Sequence, residues 1–149
     1  MPVDLGSLFS DLLRLETELW DAVAARLRTA HDLELSWFEP MQVIARTPDC
    51  RVQEIAAALS ITVGGTSKLI DRIEAAGWCR RRENPGDGRS SCIDLTPAGR
   101  RLLAAATRTF ANELDARLGQ ALSQRQLHDF SAMITQLRQA LRSRPAAPI

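Results

Sequence analysis

The feature that most constrains this chain is a single hairpin signal in an otherwise helical sequence. The segments WCRRRE (78–83) and SSCIDL (90–95) read as short strands, set around the turn-rich stretch ENPGDGR. Two strands cannot build a core by themselves, so the hairpin must rest on helices. Thr96 follows as an N-cap candidate with Pro97 at a first helical position, so the chain passes straight from the hairpin into a helix.

The remaining segments read as helices. Leu5, Leu8, Leu12, Leu15, Leu19, Val23 and Leu27 recur at steps of three or four, giving a helix from about residue 5 to 30 that is acidic on its other faces. At 1.5 Å per residue it would be about 39 Å long, more than a domain of this size needs internally, which suggests a partner chain. Leu103, Ala106, Phe110 and Leu114 share one face of the helix opened by Thr96, and Leu127, Phe130, Ile134, Leu137 and Leu141 repeat the pattern after a capping Ser123. Between these long helices lie shorter pieces. LELSWFEPMQVIAR is helical, with Pro40 near its first turn or kinking it, and VQEIAAALS is a short helix. ITVGGTSKLIDRIEAAGW is a turn, a helix from near Thr62, and a stop at Gly77.

Helix, helix, helix, hairpin, helix is the order of a winged helix-turn-helix, so the expected fold is mainly α with a small β-hairpin wing and a helical dimerisation region. Residues 34–96 are expected to form the DNA-binding domain and 1–33 with 97–143 the dimerisation region, with 144–149 a flexible tail.

Composition narrows the class. A chain of 149 residues with 45% apolar content can bury one domain-sized core. It has no run of eighteen apolar residues, and its start, MPVDLGSLFSDLL, carries acids where a secretory signal would be basic, so the expectation is a cytoplasmic protein without a membrane span. Three cysteines and two distant histidines lack metal-ligand spacing, so neither a disulfide framework, a zinc site nor a cofactor is expected. The net charge of +1 conceals an asymmetry: residues 1–40 hold three arginines against eight acids, whereas residues 62–101 hold eight basic residues against five acids. Phosphate attraction depends on local potential within a Debye length of about 8–10 Å, so a near-neutral total does not exclude a nucleic-acid partner.

A helix-turn-helix reads double-stranded DNA by laying its second helix in the major groove. Here Gly64, Gly65, Thr66 and Ser67 are small enough for close backbone approach, while Thr62, Ser67 and Lys68 supply donors to phosphates and base edges. On the hairpin, the loop Pro85–Gly88 would project Arg89 outward, where an arginine can enter a narrow minor groove, and Asp87 can steady its guanidinium or a nearby amide. VGGTSK is not a phosphate loop, because Lys68 follows Ser67 rather than glycine. No other catalytic motif is present, so no enzyme is expected. A protein-interaction module is the other alternative, but it would need neither the basic wing nor the TSK helix.

The segments VQEIAAALSIT, TSKLIDRIEAAGWCRRR and above all DGRSSCIDLTPAGRRLL make the chain resemble the MarR family of transcriptional regulators. The last looks like the family's wing signature, Asp-x-Arg followed by Leu-Thr-x-x-Gly, at Asp87, Arg89, Leu95, Thr96 and Gly99. The resemblance implies a major-groove helix over Thr62–Ala75, with Ser67, Lys68 and Arg72 at positions that commonly touch DNA, although Lys68 stands where the family often has arginine. It also implies a minor-groove wing at Arg89 and a homodimer made by the first and last helices. Two half-sites about 34–36 Å apart then call for a palindromic operator, and a repressor is the expected role. Such regulators are commonly released by small aromatic acids, for which Trp20, His31 and Trp37 could line a crevice between the dimer helices and the DNA-reading part, with Arg14 available for the carboxylate, or by cysteine oxidation, for which Cys79 and Cys92 on adjacent strands could approach each other.

Overall fold

The computed structural model describes residues 1–144; most of the expected tail, 145–149, lies outside the described residues. The elements run α1 (Leu5–His31), α2 (Leu35–Arg46), α3 (Val52–Leu59), α4 (Val63–Ala75), β1 (Cys79–Asn84), β2 (Asp87–Leu95), α5 (Pro97–Leu114), a π-helical turn (Asp115–Gly119) and α6 (Gln124–Ser143). The fold class is as expected, mainly helical with one two-stranded antiparallel hairpin. Two compact units divide the chain, Met1–Ala111 and the segment from Asn112 onward.

In the first unit, α1 is capped by Asp4, whose Oδ1 accepts the Gly6 amide at 3.1 Å, and it ends at Asp32 in the left-handed region (φ 51°). Only Val23, Ala24 and Leu27 of this helix are buried; Leu5, Leu8, Phe9, Leu12, Leu13 and Leu15 are exposed. The core lies farther along, where Leu27, Phe38, Met41, Ile55, Ile70, Ile73 and Ala106 are fully covered. Phe38 packs its ring on Phe110, centroids 4.9 Å apart. Pro40 is the sixth residue of α2 and is buried, so it takes a packing position while removing the backbone bond to the Ser36 carbonyl. No described helix is long and apolar enough to cross a membrane.

The turn between α3 and α4 passes through Ser60 in the left-handed region (φ 55°). Thr62 then caps α4, its Oγ1 accepting the Gly65 amide at 3.1 Å. Gly77 (φ 86°) ends the helix as a Schellman motif: its amide donates to the Glu74 carbonyl at 2.9 Å and the Trp78 amide to the Ile73 carbonyl at 3.2 Å.

Strand β1 starts at once and pairs with β2 from Cys79↔Leu95 to Glu83↔Ser91. The hairpin is anchored from outside by the Ile93 amide, which donates to the Cys50 carbonyl at 2.7 Å. Thr96 closes the far end: its amide donates to the Trp78 carbonyl at 3.0 Å, its hydroxyl to the Gly77 carbonyl at 2.6 Å, and its Oγ1 accepts the Gly99 amide at 3.0 Å. One residue thus caps α5 and ties it to the end of α4. In the second unit, Ser123 and Gln126 form a reciprocal capping box at the start of α6, which has no buried residue.

Candidate nucleic-acid interface

Helical periodicity sorts α4 into an inner and an outer face. Thr66, Ile70 and Ile73 point inward and are buried, while Gly64, Gly65, Lys68, Asp71 and Arg72 are exposed and Ser67 is half-buried. Thr66, expected among the small residues of the groove-facing turn, thus turns its side chain inward rather than toward a groove. It is fully covered, and its hydroxyl donates back to the Thr62 carbonyl at 2.7 Å, satisfying the one polar group that burial would otherwise strand. Thr62 uses its side-chain oxygen as the helix cap. At Gly64 an added Cβ would meet nothing within 4 Å, so the backbone there is open to approach. Ile61 and Val63 flank this opening and are about half exposed. A search of the sequence for polar readers passes over them, yet an apolar side chain on this face can meet a thymine methyl.

The wing differs in detail from the expected four-residue loop. Asn84 pairs with Asp87, so the tip is Pro85-Gly86 alone, and Gly88, Arg89 and Ser90 bulge out before pairing resumes at Ser91. Side chains build this shape: Asn84 Oδ1 accepts the Gly86 amide at 3.0 Å, Asn84 Nδ2 donates to Ser90 Oγ at 3.0 Å, and Asp87 Oδ1 accepts the Arg89 amide at 2.9 Å. Arg89 therefore sits on a bulge, a device that re-aims a side chain away from the ladder. Of the two roles open to Asp87, holding the guanidinium or an amide, the structure has the amide. The Arg89 guanidinium is exposed and has no carboxylate partner among the described residues.

Pairing also decides which basic residues remain available. Arg81 is bonded to Asp71 and Glu74, and Arg82 to Asp49 and Asp94, which holds the Arg82 guanidinium even more firmly protonated than usual. Lys68, Arg72, Arg80 and Arg89 are exposed without such partners among the described residues. They leave a positive surface on α4 and the wing.

The cysteine pair expected from adjacent strands does not form. Cys79 lies opposite Leu95 and Cys92 opposite Arg82, three ladder steps apart and on opposite faces of the hairpin. All three thiols are free and buried. Burial first, then nearby Glu74, pushes Cys79 up to about 11, and burial with Glu54 does the same to Cys50. Both are thiols at neutral pH, and unfolding would return them to 9.0, so their contribution to stability is complete below pH 9 and is lost as pH rises through 11. Ellman's reagent at pH 7.5 is expected to leave the native protein unlabelled and to titrate three thiols after denaturation. Stoichiometric native labelling would show that one thiol is accessible.

Within one chain, Arg14, Trp20, His31 and Trp37 lie apart. Arg14 and Trp20 are exposed along α1, His31 Nε2 is hydrogen-bonded to Thr109 Oγ1 at 2.7 Å, and Trp37 is half-buried on α2. Seventeen helical residues put Arg14 about 25 Å from His31. Elsewhere in the first unit lies a groove of about 560 Å³ lined by Ile44, Arg46, Asp94, Leu95, Arg100 and Leu103 among others.

Residues 31–90, which hold α2, α3, α4 and most of the hairpin, match the model of the MarR family. Among curated proteins, the multiple antibiotic resistance protein MarR of Salmonella typhimurium (strain LT2) is 37% identical over 46 residues, 31% of this chain and 32% of that protein. MarR of Escherichia coli (strain K12) is 35% identical over the same length. The matched stretch thus spans about a third of the curated relatives. Solved structures are similar along nearly the whole chain. The repressor CouR, bound to a 23-mer DNA duplex, has a TM-score of 0.80 at 23% identity over 93% of this chain and 99% of that one. Sco3205, a MarR family regulator from Streptomyces coelicolor solved in complex with DNA, has 0.85 at 19% over 99% and 93%. Streptococcus pneumoniae FabT, also in complex with DNA, has 0.80 at 20% over 94% and 99%. A MarR family model thus matches the helix-turn-helix and most of the wing, and the solved structures share the winged-helix fold along nearly the whole chain.

Proposed function

We propose that this protein is a cytoplasmic, non-enzymatic transcriptional regulator that binds double-stranded DNA as a homodimer and represses from a palindromic operator. The observation that carries the reading is the pairing pattern of the basic residues: Lys68 and Arg72 on the outer face of α4 and Arg89 on the wing bulge are exposed and unpaired among the described residues. Proteins of this fold, CouR, Sco3205 and FabT, have been solved on DNA. In this reading Thr62, Gly64, Gly65 and Ser67 let α4 approach the major groove, Lys68 and Arg72 meet phosphates or base edges, and Arg89, steadied by Asp87, enters the minor groove. Residues 34–96 are the reading head. The exposed apolar residues of α1, together with Met133, Ile134, Leu137 and Leu141 of α6, support these helices as the dimerisation region.

The test is binding to random-sequence duplex over a salt series. The logarithm of the affinity is expected to fall linearly with log salt, and Lys68→Ala to reduce the slope by about 0.9 for each protomer if it removes one phosphate contact. Salt-independent binding would point instead to a protein-interaction module. Selection from a random pool is then expected to enrich a two-fold symmetric site.

For the effector, a small aromatic acid is tested at the groove, where Arg46 and Arg100 stand beside the apolar Leu95 and Leu103 and the groove's two carboxylates, Asp49 and Asp94, are both paired with Arg82. Millimolar benzoate is expected to weaken duplex binding by the wild type and to act less on Arg100→Ala. An equal effect on both would remove the groove from the reading.

A further inference from the structure

Three consecutive arginines, Arg80, Arg81 and Arg82, look in sequence like a run of phosphate contacts. Strand alternation separates them, and Arg81 turns to α4. Its backbone amide donates to Glu74 Oε2 at 2.7 Å, Nη1 donates to Glu74 Oε1 at 3.0 Å and lies 2.8 Å from Asp71 Oδ1, and Nη2 donates to the Ser67 carbonyl at 3.3 Å. Ser67, Asp71 and Glu74 are spaced by four and three residues, so this one side chain runs along a single face of α4. Lys68 and Arg72, also four apart, occupy the neighbouring face and are exposed.

We propose that Arg81 is a positioning residue of the DNA interface that acts through α4, masking the two carboxylates that the reading helix carries beside its two cations. The inference rests on the DNA-binding reading above. Without Arg81, Asp71 and Glu74 would lie within a Debye length of the phosphates that Lys68 and Arg72 approach, and like charges across an interface oppose binding. The Arg81 side chain is only 25% exposed and faces α4, so its charge is spent on these carboxylates rather than on DNA.

The test uses the duplex that the wild type enriches from a random-sequence pool. Arg81→Met is expected to bind it about tenfold more weakly. Adding Asp71→Asn and Glu74→Gln to that variant is expected to restore binding to within about threefold of wild type, because no negative charge is left to mask. A residue that merely supported the fold would not be rescued in this way. As a control that keeps Arg81, the Asp71→Asn, Glu74→Gln double variant is expected to bind at least as tightly as the wild type. The inference is overturned if Arg81→Met binds like the wild type, if the triple variant stays as weak as Arg81→Met, or if the double variant loses affinity. A wild type that enriches no duplex fails the DNA-binding reading first and this inference with it.

Discussion

Gly99→Ala is expected to lower the melting temperature by roughly 6–12 °C, corresponding to a loss of about 3 kcal/mol in a chain of this size. The new Cβ would overlap the Trp78 carbonyl oxygen and lie 2.8 Å from the Trp78 carbonyl carbon, both of them backbone atoms that no rotamer change can move aside. That carbonyl already accepts the Thr96 amide at 3.0 Å, and the Thr96 hydroxyl donates to Gly77 at 2.6 Å, so the first turn of α5 is held against the end of α4 by two hydrogen bonds. Relief requires α5 to back away and break them. Thermal denaturation followed by circular dichroism checks the expectation. A shift below about 3 °C would mean that α5 can retreat without cost. DNA affinity should fall with stability, because the displaced junction is also the root of the wing.

Arg89→Ala should have the opposite profile, with folding intact and binding lost. Arg89 is exposed, and what Asp87 holds is its backbone amide, a bond that alanine keeps. The hairpin should therefore retain its bulge and its melting temperature. If Arg89 enters the minor groove as proposed, operator affinity is expected to fall at least tenfold, about 1.4 kcal/mol or more. Fluorescence anisotropy with the selected duplex and with its symmetric variants provides the check. Unchanged affinity would remove the wing from the interface and leave recognition to α4 alone.

The two variants separate the parts of the segment from Asp87 to Gly99. Its apparent unity as a motif, Asp-x-Arg followed by Leu-Thr-x-x-Gly, hides two jobs. Asp87 and Arg89 shape and arm the exposed bulge. Thr96 and Gly99 make a close backbone junction that nothing on the surface displays.

Much of this architecture was legible in the sequence because it depends on local chemistry. The leucine spacing of α1, the Thr62 and Ser123 caps, the left-handed stop at Gly77 and the turn residues of the hairpin are set by steric and hydrogen-bonding preferences within a few positions. Their order along the chain sufficed for the fold class. The positions of Lys68, Arg72 and Arg89 on exposed surfaces also follow from periodicity and turn geometry.

Where long-range contacts decide, the sequence was silent. Thr66 reads as one more small polar residue in a groove-facing turn, and only the packing of α4 on its neighbours turns it inward, where it must bond to Thr62. Cys79 and Cys92 sit on adjacent strands, yet the register, which depends on how the bulge absorbs Gly88–Ser90, puts them on opposite faces. Arg14, Trp20, His31 and Trp37 share a composition suited to an aromatic acid, but within one chain helix length sets them apart. Arg81 and Arg82 carry the same charge as Arg80 and Arg89, and only the tertiary structure, by bringing carboxylates from α4, the Asp49 loop and β2 within bonding distance, decides which of them remain free to meet a phosphate. Residue type fixes a side chain's charge and reach, but its partners come from segments distant in sequence, and those meet only when the core closes.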